Sequence, residues 1–231
     1  MIKTIGTIGP SSIRIDVLKK LKSVGLDSFR INLSHSNEDL LEYYYQQFES
    51  AGVLPSLDTQ GAQIRISGLN NTDHYYSGDT ISIGLLDSQG SSHDICLNHQ
   101  EFFEQIEVGD EVKMGFDGFI TKIIHVDKSN LTAEAKVLHN GEIGLNKAID
   151  VTNRAIKLPA LTDFDIKCIK DSSSRNIQEI FVSFCSGKEC IMSLKTMLTQ
   201  SGLSYAKMPK IIAKIESRQG LLNLEKIIKV A

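Results

Sequence analysis

Arg30, Asn32 and Ser34 stand two residues apart, the spacing that sets alternate side chains on one face of a β-strand. A guanidinium, an amide and a hydroxyl in a row could meet an anionic ligand or an ion, while Phe29, Ile31 and Leu33 between them face a core. A strand inside an α/β protein is ordinarily apolar on both faces, so such a row would be left unsatisfied unless a ligand meets it. The alternative is a half-exposed edge strand with a solvated face. Gly25-Leu26-Asp27 before it and Ser36-Asn37-Glu38-Asp39 after it look like a helix end and a helix start, which favours an interior βα unit. In Ile211-Ile212-Ala213-Lys214-Ile215-Glu216 the same rule puts Lys214 and Glu216 on one face, an ammonium beside a carboxylate. That pair suits a metal ion held together with an anionic substrate, although a Lys-x-Glu on a strand is more often a surface ion pair. Asn32, Ser34, Asp58 and Thr59 offer oxygen donors and no soft ligand, as a hard cation prefers. The alternative for these four is a set of satisfied strand-end caps.

The elements that must carry these groups alternate. A strand over 2–8 is broken by Gly9-Pro10, and Ser11 or Ser12 can cap a helix that runs through Leu18 and Leu21 to Val24. The Phe29 strand follows, then a helix over 37–50 and a strand over 53–58. Repeated βα units imply a parallel sheet or a (β/α) barrel, in which ligands collect at the carboxyl ends of the strands. From Ser67 to Arg154 the pattern changes. Strand-like runs at 80–83, 111–114 and 120–124 are separated by Ser77-Gly78-Asp79, Val108-Gly109-Asp110, Asp127-Lys128-Ser129-Asn130 and His139-Asn140-Gly141, and only 100–106 is helical. This is a small β domain inserted at 67–154 between barrel segments 1–66 and 155–231. Beyond it come a helix from Thr162-Asp163, a strand over 180–184, a helix over 188–200, a strand over 210–215 and a last helix from Gln219 to Ala231. That makes five βα units where a closed barrel has eight, and the chain ends inside an apolar helical run, as a fragment does.

Composition excludes several classes. With 41% apolar and 23% charged residues and a net charge of −3, the 231-residue chain has no general attraction to nucleic acid or acidic membranes. No apolar run reaches the roughly 20 residues of a membrane span. Cys96, Cys168, Cys185 and Cys190 form no CxxC pair and no signal peptide opens the chain, so they are expected as reduced thiols in a cytoplasmic protein without zinc.

The succession Thr7-Ile8-Gly9-Pro10, Arg30-Ile31-Asn32-Leu33-Ser34-His35, Leu57-Asp58-Thr59-x-Gly61-x-x-Ile64-Arg65, Asp117-Gly118, Gly144-Leu145-Asn146-Lys147, Leu158-Pro159-Ala160-Leu161-Thr162, Ser183-Phe184 and Lys214-Ile215-Glu216 resembles the pyruvate kinase family, in that family's own order. The resemblance implies an α/β fold: an incomplete TIM (β/α)8 barrel with an inserted all-β, barrel-like lid domain. It implies phosphoryl transfer from phosphoenolpyruvate to ADP, giving pyruvate and ATP, with Mg2+ or Mn2+ and K+ as cofactors and a homo-oligomer when complete. By the same resemblance Arg30 clamps the phosphoryl group, Lys214 neutralises charge between phosphoryl and enolate, Ser183 lines the substrate pocket and Glu216 holds the divalent ion. Asn32, Ser34, Asp58 and Thr59 would bind K+, and His35, Arg65 and Lys147 would contact nucleotide phosphates.

The chain departs from the family pattern at Gln60-Gly61-Ala62-Gln63, where Lys-Gly-Pro-Glu is usual, at Ala148-Ile149-Asp150-Val151-Thr152-Asn153, and at Ser186 and Ser217. A Glu at the position of Gln63 goes with K+ dependence in the family and a Lys with independence, so weak K+ activation is expected. The family's second metal carboxylate would fall just past Ala231, so the 231 residues alone are expected to be incompetent. Two alternatives stand beside the kinase: a non-catalytic phosphoenolpyruvate- or nucleotide-binding relative, and a lyase or aldolase of the phosphoenolpyruvate- and pyruvate-binding barrels. The nucleotide positions His35 and Lys147 favour the kinase over the lyase.

Overall fold

A computed structural model describes residues 2–70, 73–86, 93–115, 118–171, 175–204 and 207–231. In chain order the first part holds β1 (Ile5–Thr7), α1 (Ile15–Ser23), β2 (Ser28–Asn32), a 3-10 turn (Leu33–His35), α2 (Glu38–Ala51) and β3 (Pro55–Asp58). The middle holds β4 (Ile66–Leu69), β5 (His74–Tyr75), β6 (Thr80–Leu85), β7 (Ile95–Leu97), α3 (Gln100–Gln105), β8 (Glu111–Met114), β9 (Phe119–Asp127), β10 (Thr132–Val137), β11 (Gly141–Glu142) and β12 (Ile149–Val151). Last come α4 (Asp163–Asp171), β13 (Glu179–Val182), α5 (Lys188–Gln200), β14 (Lys210–Ala213), α6 (Arg218–Leu222) and α7 (Leu224–Ile228). The chain divides into two units, Met1–Ala62 with Pro159–Ala231, and Gln63–Leu158.

In the first unit five parallel strands run in the order β1-β2-β3-β13-β14 and curl as part of a (β/α) barrel. β2 therefore has a neighbour on each side and is no edge strand. Phe29, Ile31, Leu33, Leu57, Ile180 and Val182 are buried against helix residues such as Leu18, Phe48 and Leu194. Phe29 meets Phe48 edge-on, with centroids 6.2 Å apart, a geometry the ring quadrupoles favour. Register does the positioning. Thr7 pairs with Arg30, Asn32 with Asp58, Asp58 with Phe181 and Val182 with Ala213, so the polar residues end at one level of the sheet.

The second unit is a seven-stranded sheet, β12-β8-β9-β10-β6-β7-β4, with the two-stranded ribbon β11-β5. Its end strands are joined by an Arg65–Ala148 bridge and by the Ile66 N–H to Lys147 carbonyl (3.0 Å) and Ile149 N–H to Ile64 carbonyl (2.9 Å) bonds, which close the sheet into a barrel-like ring. Closure removes the exposed edges on which sheets aggregate. A separate core of Ile66, Ile83, Ile95, Phe102, Val112 and Phe119 fills it.

Three local expectations are corrected. Ser11 and Ser12 do not cap α1; Arg14 precedes it without a side-chain cap, and Ser12 Oγ instead accepts from the Gly9 N–H at 3.0 Å, spending itself on the tight turn after β1. The Arg30 strand stops at Asn32, because Asn32 Oδ1 accepts from the Ser34 N–H at 3.0 Å and curls 33–35 into the 3-10 turn. The last helix is two: Asn223 (φ −100°) ends α6, begins α7 and donates from Nδ2 to the Ser186 carbonyl at 2.9 Å. Among the described residues no helix is long and apolar enough to cross a membrane.

Candidate active site

Asp58, the last residue of β3, is buried to 2% exposure and holds two cations. Arg30 Nη1 lies 3.1 Å from Oδ2, and Lys214 Nζ lies 3.0 Å from Oδ1. A carboxylate removed from water needs such partners, since an uncompensated buried charge costs several kcal/mol, on the order of 3–5. Lys214 Nζ also donates to Ser183 Oγ at 2.9 Å, and that hydroxyl faces the Thr59 carbonyl (2.6 Å) and Asp58 Oδ1 (3.2 Å). The guanidinium of Arg30 is fixed from further sides: Nε and Nη2 both donate to Thr7 Oγ1, at 3.1 and 2.6 Å, and the Phe181 ring centroid is 5.6 Å from its carbon. Each guanidinium nitrogen has a partner, yet Nη1 and Nη2 each retain an unspent N–H. Arg30 and Lys214 remain about a quarter exposed (26% and 25%) over a carboxylate at 3%, so the carboxylate orients two cations that solvent still reaches.

Lys214 and Glu216 lie just past β14 rather than on it. The ladder nevertheless continues through the Lys214 N–H to Val182 carbonyl (2.9 Å) and Cys185 N–H to Lys214 carbonyl (3.1 Å) bonds, which keeps Lys214 in line with Asp58. Glu216 Oε1 is 3.4 Å from Lys214 Nζ, and Oε2 accepts the Phe184 N–H at 2.9 Å. Phe184 has φ +51°, a left-handed conformation that costs about 1 kcal/mol or more for a residue with a bulky side chain. That strain aims its amide at Glu216.

The other candidates are placed as follows. Thr59 is buried, with its Oγ1 accepting the Ser183 N–H at 3.0 Å. Asn32 is half-buried and Ser34 exposed, the latter in the 3-10 turn, and His35 ends that turn, exposed. Arg65 and Lys147 belong to the β unit, where Arg65 Nη1 donates to the Asn146 carbonyl at 2.7 Å. Gln63 Oε1 is buried without a hydrogen-bond partner among the described residues. Asp117 lies outside the described residues. Among the described residues no group of three or more His, Cys, Asp or Glu side chains gathers as a metal cage. The donors that remain are hard oxygens: the Glu216 carboxylate alone for a divalent ion, and Asn32 with Ser34, Asp58 and Thr59 at the ends of paired strands for a monovalent one.

The sequence did not single out Asp165. It is fully buried, and its carboxylate accepts the N–H groups of Gln60 (2.7 Å), Gly61 (3.1 Å) and Thr162 (3.0 Å). Thr162 Oγ1 accepts the Asp165 N–H at 3.1 Å in return, a reciprocal cap at the start of α4. That half was readable in the Thr-x-x-Asp spacing; the bonds to Gln60 and Gly61, a hundred residues away, were not. Gln60, one of the departures from the family pattern, ties the same joint: Nε2 donates to the Leu33 carbonyl at 3.1 Å and Oε1 accepts Thr162 Oγ1 at 3.0 Å. Thr7, known from the sequence only as part of a motif, is the second anchor of Arg30.

The sequence profile "Pyruvate kinase, barrel domain" matches residues 1–231. The pyruvate kinase of Aeropyrum pernix is 27% identical over all of this chain and 49% of its own length, and pyruvate kinase 2 of Saccharomyces cerevisiae is 29% identical over 98% of this chain and 46% of its own. The chain thus spans about half the length of the curated relatives it matches. A crystal structure of a pyruvate kinase from Cryptosporidium parvum, 23% identical, superposes with a TM-score of 0.80 over 99% of this chain and 49% of that one, and shares the fold. With the profile matched from end to end, the chain belongs to the pyruvate kinase family.

Proposed function

We propose that this chain carries the substrate-binding part of a glycolytic kinase that moves the phosphoryl group of phosphoenolpyruvate to ADP. The observation that supports it best is Asp58 holding Arg30 and Lys214 side by side at the strand ends, each still about a quarter exposed. The guanidinium fork matches phosphate oxygens, and the Lys214 ammonium sits beside it where negative charge would grow as the phosphoryl group leaves the enol oxygen. Ser183 orients Lys214 and lines the pocket. Glu216, turned by the Phe184 amide, would hold Mg2+ or Mn2+, with water and substrate supplying the other ligands as Mg2+ commonly requires. When bound, that ion lowers the energy of the enolate by drawing charge onto itself. Asn32, Ser34, Asp58 and Thr59 would hold K+, which shares Asp58 with the two cations. His35, Arg65 and Lys147 would take nucleotide phosphates. The active protein is a cytoplasmic homo-oligomer in this proposal.

The test is pyruvate formation from phosphoenolpyruvate and ADP by the protein that carries these residues, with magnesium present. Turnover that needs Mg2+ and ADP and weakens without K+ is expected. Phosphoenolpyruvate binding with no turnover would point to the non-catalytic relative, and ADP-independent cleavage to the lyase.

A further inference from the structure

The planar guanidinium of Arg30 is held unequally on its two sides. Asp58 Oδ2 meets Nη1 alone, at 3.1 Å, and that carboxylate is shared with Lys214. A single contact of this kind lets the plane swing about it. On the opposite edge Thr7 Oγ1 accepts from Nε at 3.1 Å and from Nη2 at 2.6 Å, and a second point of attachment stops the swing. The Phe181 ring, 5.6 Å from the guanidinium carbon, limits tilt out of the plane. Strand pairing keeps Thr7 in reach: it is the register partner of Arg30 between the parallel strands β1 and β2, and the Ile8 N–H bonds the Arg30 carbonyl at 2.8 Å, so the two side chains leave the sheet on one face. The acceptor is also neutral. Arg30 and Lys214 already stand against Asp58 and Glu216, and a further carboxylate at Thr7 would make the cluster repel an anion. A hydroxyl fixes the guanidinium and leaves its charge for a ligand.

We propose that Thr7 is a positioning residue, whose hydroxyl locks the plane of the Arg30 guanidinium so that the edge between Nη1 and Nη2 is presented to a phosphate monoester. A fork already held in one plane meets phosphate oxygens without first losing rotational freedom, which is how preorganisation raises affinity. Thr7 acts through Arg30 and not on the reacting atoms. The choice of phosphoenolpyruvate as the ester rests on the kinase reading; the fixing of the guanidinium by Thr7 does not. Thr7 is exposed, so Thr7→Val keeps the β-branched shape and removes the acceptor without opening the core, and Thr7→Ser restores the hydroxyl.

The test is heteronuclear NMR of the folded protein, with the Arg30 Nε–H signal identified by its absence from Arg30→Lys. Exchange of that proton with water should be slow in wild type and Thr7→Ser, and at least about threefold faster in Thr7→Val, where no hydrogen bond shields it. Phosphoenolpyruvate titrated into the same samples with magnesium should bind Thr7→Val about tenfold more weakly than wild type, and Thr7→Ser within about twofold of it. Pyruvate, which lacks the phosphoryl group, should bind wild type and both variants alike. Equal weakening of both ligands would mean general damage to the strand ends, and unchanged exchange or unchanged phosphoenolpyruvate affinity in Thr7→Val would mean that Asp58 and Phe181 suffice; each result overturns the proposal. A wild type that binds no phosphoenolpyruvate, with the Arg30 Nε–H still released in Thr7→Val, would overturn the kinase reading and leave Thr7 as the residue that holds Arg30.

Discussion

The two ends of the parallel sheet each bury a carboxylate, and they use it differently. At the amino ends of the strands Glu179, 1% exposed, binds Lys3 beside the Ser28–Ser56 hydroxyl pair (3.0 Å), and both serines are at 0%. At the carboxyl ends Asp58 holds Arg30 and Lys214, each about a quarter exposed, with the Glu216 carboxylate more open still at 35%. The first cluster sets one ammonium, 40% exposed, on its buried carboxylate. The second sets two cations on one buried carboxylate and adds the half-open Glu216 beside them. Barrel enzymes put chemistry at this face and stability at the other, and here the contrast lies in the number and variety of charged groups gathered, not in how far the cations reach solvent.

Charge removal should separate the two ends most sharply. In the active protein, Lys214→Met or Arg30→Ala should lower turnover by a factor of about 100 or more, since each group faces charge that appears in the transition state. Glu179→Gln should leave turnover unchanged and cost about 1–3 kcal/mol of stability through one broken buried partnership. Steady-state assays and denaturant melts of the variants check this; a Glu179 variant as inactive as Lys214→Met would erase the distinction.

A smaller effect is expected at Gly61, on the loop after β3. Its φ is +66°, and a Cβ there would come within 2.9 Å of the Ser183 carbonyl oxygen. Gly61→Ala should cost about 1–3 kcal/mol and also lower turnover by pushing Ser183 away from Lys214. Melting and kinetics of one sample measure both, and an unshifted melt would show that the loop can relax.

The smallest effect is in pH. Burial pushes the Glu179 carboxyl up, but the Lys3 hydrogen bond, with help from Ser28 and the charges of Lys3 and Lys210, outweighs it and holds the carboxyl below its ordinary 4.5. A carboxyl lowered on folding contributes stability above its unfolded value, and that contribution disappears as pH falls through the lower folded value. The gap in melting temperature between wild type and Glu179→Gln should therefore hold at pH 6–7 and shrink below about 4.5. A gap constant down to pH 3 would mean that the Lys3 pair contributes nothing.

The amino-acid sequence determined much of this protein by local rules. Period two gave Arg30 and Asn32 a common face, α5 ran over 188–200 as read, and the loss of helical periodicity after Ser67 marked the β insertion, because each depends on neighbours a few residues apart. The family's motifs, in order, carried the rest of the site by resemblance. Tertiary structure decided how the groups meet. Asp58 became the hub because strand register set it opposite Asn32 and Phe181 and brought Lys214 from 156 residues away. Asp165 could pin Gln60 and Gly61 only once β3 and α4 were adjacent, Phe184 could be held at positive φ only with Glu216 there to take its amide, and Ser34 left the strand for a single side-chain bond from Asn32. Hydrogen bonds and ion pairs act over about 3 Å of space whatever the separation along the chain, and that distance is set only when the sheet closes.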